Sequence, residues 1–222
     1  MRLSPLMHAF FLFISSIFHP LLIVSYLIGV LLLTTPALFG QVHWQAGLPE
    51  WANVTLFTAV LPLIAIALLK PLGLLQSYSM PSRKERFIPY IIIMIFYFWA
   101  SINLYNQPTT PLPIVRIVVS MTLGIVLAFL TNLAIKVSIH GMGAGVLLFW
   151  SIWLYREVLP PILSIDDPVT ALPSVYIISA AAIITGLIIA ARIYLQAHTG
   201  REVGLGVLLG VVSSLLIIQW IR

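Results

Sequence analysis

The sequence predicts an all-α fold: a polytopic membrane helix bundle of six to seven transmembrane helices, forming one domain over residues 1–222. Two observations carry this. Hydrophobic residues make up 61% of the chain and the mean hydropathy is +1.10, whereas typical globular chains are about half apolar. A soluble domain of this length could not hide so much apolar surface, and a chain solvated by lipid has no need to. The apolar residues also come in continuous runs rather than the alternation of a membrane barrel. Each run approaches the roughly 20 residues needed to cross the hydrocarbon.

The runs cover about 17–38, 53–75, 88–105, 114–135, 141–156, 170–190 and 203–221. Arg156 and Glu157 cut the fifth short. Residues 5–16 are apolar too, and read either as an interfacial helix or as an extension of the first span. Arg2 followed by a long apolar run imitates a signal peptide. No small-x-small cleavage site ends that run, which continues to about Leu38, so it reads as a retained helix.

The connections divide by chemistry. Those after the first, third and fifth runs hold Trp44, Trp51, several prolines and Asp166–Asp167. Tryptophan at the end of a span is ordinary interfacial anchoring, and no chemistry is assigned there. Those after the second, fourth and sixth runs contain Ser77–Pro89, Lys136–His140 and Arg192–Glu202. Alternating crossings put these three on one side of the membrane, where clusters distant in sequence can meet.

Charged residues are 8% of the chain, the net charge is +5 and there is no cysteine. Disulfides and thiolate metal sites are thereby excluded. With no soluble basic domain to bind nucleic acid, the basic balance points to membrane orientation or an anionic substrate.

Each cluster supports two readings. Arg83, Lys84 and Arg86 could clamp a multiply charged anion, or they could be loop cations, with Ser82 and Glu85 forming a capping box for the third span. Ser138 could cap the next helix and leave Ile139, His140 and Gly141 as its first residues, an anion site reinforced by Lys136. His140 would stand beside that anion as a proton donor. Alternatively, Ser138 is only a cap and the following glycines serve close helix packing. Thr199 and Glu202 fit a capping box as well. That box does not explain Arg192, because an arginine within a span usually faces a partner or a wet cavity. Arginine suits bidentate contact with phosphate oxygens. A histidine paired with a carboxylate beside such an anion suggests nucleophilic or acid–base phosphoryl chemistry.

Together these residues resemble the type 2 phosphatidic acid phosphatase family, membrane lipid phosphatases that share a core with vanadium haloperoxidases. The family carries Lys-x6-Arg-Pro, Pro-Ser-Gly-His and Ser-Arg-x5-His-x3-Asp. The third motif reads Ala191-Arg192, five residues, His198, three residues, Glu202. The second is Val137-Ser138-Ile139-His140, which keeps Ser and His. The first is degenerate, with Arg83, Lys84 and Arg86 preceding Pro89. The motifs come in family order and span about residues 79–210.

The resemblance implies roles. His198 would attack phosphorus and form a phosphohistidine, and Glu202, in place of the family's Asp, would orient that imidazole. His140 would protonate the leaving group. Arg192, Ser138, Lys136, Arg83, Lys84 and Arg86 would hold the phosphate. No metal or other cofactor is implied. The expected partners are a phosphorylated membrane lipid (undecaprenyl pyrophosphate, phosphatidylglycerophosphate or phosphatidic acid) and the bilayer itself, not nucleic acid. A competing reading is a binding or transport protein for such a lipid without catalysis. A zinc hydrolase using His140, His198 and Glu202 is a third reading, opposed by the surplus of Arg and Lys, which would repel a cation. The expected location is a bacterial cytoplasmic membrane. Lys and Arg lie mostly on the site side, which by the positive-inside tendency favours a cytoplasmic site. The resemblance favours an extracytoplasmic one.

Overall fold

The computed structural model describes residues 4–78, 80, 82–158 and 168–221. Arg2, Arg222 and the Asp166–Asp167 pair lie outside the described residues. The described residues form helices and turns, with no strand among them.

Prolines explain where the first helices break. Helix α1 (Pro5–Ile17) and helix α2 (Pro20–Thr34) are bent 63° from one another. Pro20 opens α2, and the residue before a proline is driven out of the helical region. His19 accordingly takes φ −63°, ψ 138°, and its Nδ1 accepts the Leu21 N–H at 3.4 Å, capping α2. The apolar run at residues 5–16 is thus a separate helix, not a straight extension of the first span. It packs along the end of α8, with the Phe11 and Tyr194 ring centroids 4.2 Å apart.

The next crossing, Trp44–Leu69, contains α3 (Leu48–Thr55), a π turn at Leu56–Val60 and α4 (Leu61–Leu69). Pro62 has no N–H for the Thr58 carbonyl, and the wider turn absorbs the defect. Helices α5 (Phe87–Asn106) and α6 (Leu112–Ala134) follow, then α7 (Ile139–Trp153), α8 (Pro168–Tyr194) and α9 (Gly200–Trp220).

The count of crossings overlaps the sequence reading at six. Among the described residues, five helices are long and apolar enough to cross a membrane, or six if the bent α1–α2 pair is one span. By length and composition alone the count is thus five to six, against the expected six to seven. The difference lies in the run at 141–156. It is α7, short in itself at 15 residues but continued without a break to Val158, so that the whole helix from Ile139 is about 30 Å long at 1.5 Å per residue. A π turn at Leu154–Val158 follows it.

α7 is enclosed, packed against α2, α6, α8 and α9. Trp150, fully buried, donates from Nε1 to Ser120 Oγ of α6 at 2.7 Å. Against α9 the two backbones touch. A Cβ added at Gly141 would lie 2.6 Å from the Val203 carbonyl oxygen, and one at Gly206 would collide with the Ser138 carbonyl oxygen. With nearly no side chain between them, the helices meet through small residues, the usual way to gain contact where lipid offers no hydrophobic drive. Gly206→Val should therefore cost about 2–3 kcal/mol through overpacking. Thermal unfolding in detergent should show it, with lipid-facing Leu208→Val as control. An unchanged melting temperature for Gly206→Val would mean that the two helices can part freely.

Candidate functional site

The end of α8 explains the spacing of the third motif. The Arg192 carbonyl accepts N–H bonds from Ala197 at 3.2 Å and His198 at 3.3 Å, closing the helix in a tight turn. Gln196 supplies the left-handed residue at φ 52° that such a terminus needs. α9 then starts at once: Thr199 caps it, its Oγ1 accepting the Glu202 N–H at 3.3 Å. Two helix ends in succession thus bring Arg192, His198 and Glu202 to one place.

The capping box is only half made. Instead of folding back onto its own helix start, the Glu202 carboxylate accepts from His198 Nδ1 at 2.7 Å. Four residues apart, across the first turn of α9, the longer glutamate reaches the ring. This bond fixes the tautomer, with the proton on Nδ1 and the lone pair on Nε2. Arg86 faces that lone pair, with Nη1 3.4 Å from Nε2. His198 is buried, at 7% exposure. Burial, followed by the charge of Arg86, pushes its pKa down to about 4. Arg192 and Lys136 act in the same direction, and the Glu202 hydrogen bond opposes them. At neutral pH the imidazole is therefore uncharged with its Nε2 lone pair available, the state a nucleophile requires.

Arg86, also buried, is held by two carbonyls. Its Nε donates to Met80 at 3.0 Å and its Nη1 to Val137 at 3.2 Å. Lys136 donates to the Ala197 carbonyl at 2.9 Å and stands 3.9 Å from Glu202 Oε2. Arg192 donates from Nη1 to Ser15 Oγ at 2.8 Å, while its buried Nε has no partner among the described residues. Three cations surround the histidine–carboxylate pair, and one of them keeps a free donor. An anion is the ligand such a set would hold.

His140 enters from the start of α7. Its Nε2 lies 3.2 Å from the Ser15 carbonyl oxygen and 3.4 Å from Ser15 Oγ. Its ring stands edge-on to His19, with centroids 5.3 Å apart. Ser15 thus joins Arg192 and His140, although no motif marks Ser15 or His19. The one sequence signal for them is Pro20, which breaks the helix and turns both residues toward this end of the bundle.

The remaining sequence-predicted residues are engaged elsewhere. Ser138 is fully buried and its Oγ caps α7, accepting the Gly141 N–H at 3.2 Å. Its backbone N–H donates to the Glu202 carbonyl at 3.2 Å, so it joins the two helix starts and positions the site. Arg83 is exposed and donates to the Leu133 and Ala134 carbonyls, closing α6. Lys84 is exposed as well. The Ser82–Glu85 contact forms as expected, with the Glu85 N–H 3.3 Å from Ser82 Oγ. Ala191, in place of the motif serine, is fully buried. No group of three or more His, Cys, Asp or Glu among the described residues could hold a metal ion.

No protein-family model, characterised protein or solved structure matches this chain.

Proposed function

We propose that this integral membrane protein is a metal-independent lipid phosphatase working through a phosphohistidine. The observation that carries the reading is His198, with Nδ1 tied to Glu202 and Nε2 opposite Arg86, inside a ring of cations. The phosphoryl group takes the place of the Arg86 contact on Nε2, and Arg86, Lys136 and Arg192 take its oxygens. Nε2 bonds to phosphorus as the bond from phosphorus to the leaving oxygen breaks. The negative charge of the bound anion lets His140 take up a proton from water, and His140 gives a proton to that oxygen once Ser15 yields the Nε2 contact. Water then attacks phosphorus, passing a proton to His140, and the phosphorus–nitrogen bond breaks to return neutral His198 and free phosphate. Glu202 stabilises the charge carried by the phosphorylated ring.

The substrate class is a lipid phosphate or pyrophosphate such as undecaprenyl pyrophosphate, phosphatidylglycerophosphate or phosphatidic acid. The same reading puts the chain in a bacterial cytoplasmic membrane with an extracytoplasmic site, as the resemblance implies for a carrier-lipid phosphatase. Purified protein should release phosphate from at least one of these three lipids, equally well with and without a chelator. Release from none of them would leave a binding or transport protein, and loss of release in chelator would bring back the metal hydrolase.

A further inference from the structure

An apolar cavity of about 480 Å3 lies between α2, α7 and α8, within the roughly 300–1,000 Å3 range of ligand sites. Its rim at one end is Ile17 and Phe18, at the hinge between α1 and α2. Ser15, which accepts from Arg192, and His19, whose ring stands against His140, flank that rim in the chain. The lining then runs down α2 to Leu33 and down α7 and the π turn after it to Tyr155. The far end is tied by a Tyr155–Thr34 hydroxyl contact of 2.8 Å. Ala180 and Ala181 leave room on the α8 wall, while the Trp51 indole packs on Gly29 of α2.

The length of this cavity decides what fits. From Phe18 to Leu33 the helical rise gives about 22 Å, whereas one leaflet of a ~30 Å hydrocarbon core is about 15 Å deep. A glycerolipid acyl chain ends near the midplane and brings a second chain with it. A single chain that begins at an anionic head and continues past the midplane would use the whole cavity. The width left by the small residues suits methyl branches.

We infer that the cavity between α2, α7 and α8 holds one long, branched hydrocarbon chain, so that the substrate is a polyprenyl phosphate or pyrophosphate rather than a two-chain glycerolipid. The inference rests on the phosphatase reading for the headgroup. Its own support is the apolar cavity that starts beside the cationic cluster.

The test compares undecaprenyl pyrophosphate, farnesyl pyrophosphate and dioleoyl phosphatidic acid. Ala180 lines the cavity from an exposed position, so Ala180→Phe fills it without disturbing the core. Ile183, exposed and not part of the lining, provides the control Ile183→Phe. Wild type should favour undecaprenyl pyrophosphate over dioleoyl phosphatidic acid. Ala180→Phe should lower kcat/KM for undecaprenyl pyrophosphate by about tenfold or more, the scale on which an apolar pocket discriminates. It should leave farnesyl pyrophosphate little changed, and Ile183→Phe should change neither. A preference for phosphatidic acid, or wild-type use of the long chain by Ala180→Phe, overturns the inference. If wild type hydrolyses none of the three, the phosphatase reading alone fails, and binding decides the cavity. Labelled undecaprenyl phosphate should then be retained by wild type and lost by Ala180→Phe. Equal retention, or none by either protein, overturns the inference.

Discussion

His198→Ala should abolish phosphate release while lipid binding survives. Removing a nucleophile that also anchors a charged network is expected to lower kcat by about 10^4-fold or more, roughly 5 kcal/mol of barrier. The lipid should still bind, because Arg86, Lys136 and Arg192 are anchored independently of the ring, to backbone carbonyls and to Ser15. A second readout separates a nucleophile from a residue that only shapes the site. With phosphorus-labelled substrate, wild type stopped in mid-turnover should carry acid-labile label on the protein, and His198→Ala should carry none. Glu202→Gln keeps the backbone cap on Thr199 but weakens the Nδ1 contact. It should lose about 10^2-fold in kcat with binding intact, in line with a general acid–base or orienting group. Near-wild-type turnover by His198→Ala would remove the proposed chemistry altogether.

Arg86→Gln should change both the rate and its pH dependence. The guanidinium is the group nearest to Nε2, where charge develops as phosphorus is transferred. Loss of one such donor typically costs about 10^2–10^3-fold in kcat. The sign of the pH effect follows from electrostatics. The Arg86 charge disfavours protonation of His198, second only to burial, in holding its pKa at about 4. Without it the pKa must rise toward the ordinary 6.5. The acidic limb of kcat/KM, which reports the free enzyme, should then move upward from near pH 4. The same shift governs stability. Between about pH 6.5 and 4 the unfolded chain binds a proton that the folded His198 refuses, so folded wild type loses stability as pH falls through that window. Arg86→Gln should narrow the window. A reduced rate with the acidic limb unmoved would show that Arg86 holds structure without setting the state of His198.

The site was legible in the sequence where its geometry is local. Arg192, His198 and Glu202 lie on one short turn between two helices, so their spacing alone carries the arrangement. Arg86 could not be told from Arg83 and Lys84, because three cations in four positions differ only in direction. The 3-10 turn at Lys84–Arg86 sends Arg86 inward and leaves its neighbours exposed. Ser15 and His19 reach the cluster across a long sequence gap, and nothing in their local pattern records that contact. The fold was legible from hydropathy wherever a helix faces lipid. The exception was α7, where burial by neighbouring helices replaces lipid exposure. Apolar content reads the same in both environments, so only packing distinguishes an enclosed helix from a lipid-facing one.

The backbone contact between α7 and α9 has a consequence for biogenesis. The glycine face of α7 fits α9, which is synthesised about 60 residues later in the order of the chain. Until α9 arrives, the glycine face of α7 is without the partner that fits it. The N–H of Ser138 likewise lacks the Glu202 carbonyl that later receives it. α7 therefore gains its closest packing partner only when α9 enters the membrane. In that same step the turn carrying Arg192 and His198 comes to rest beside Arg86, so the α7–α9 contact and the cationic cluster form together.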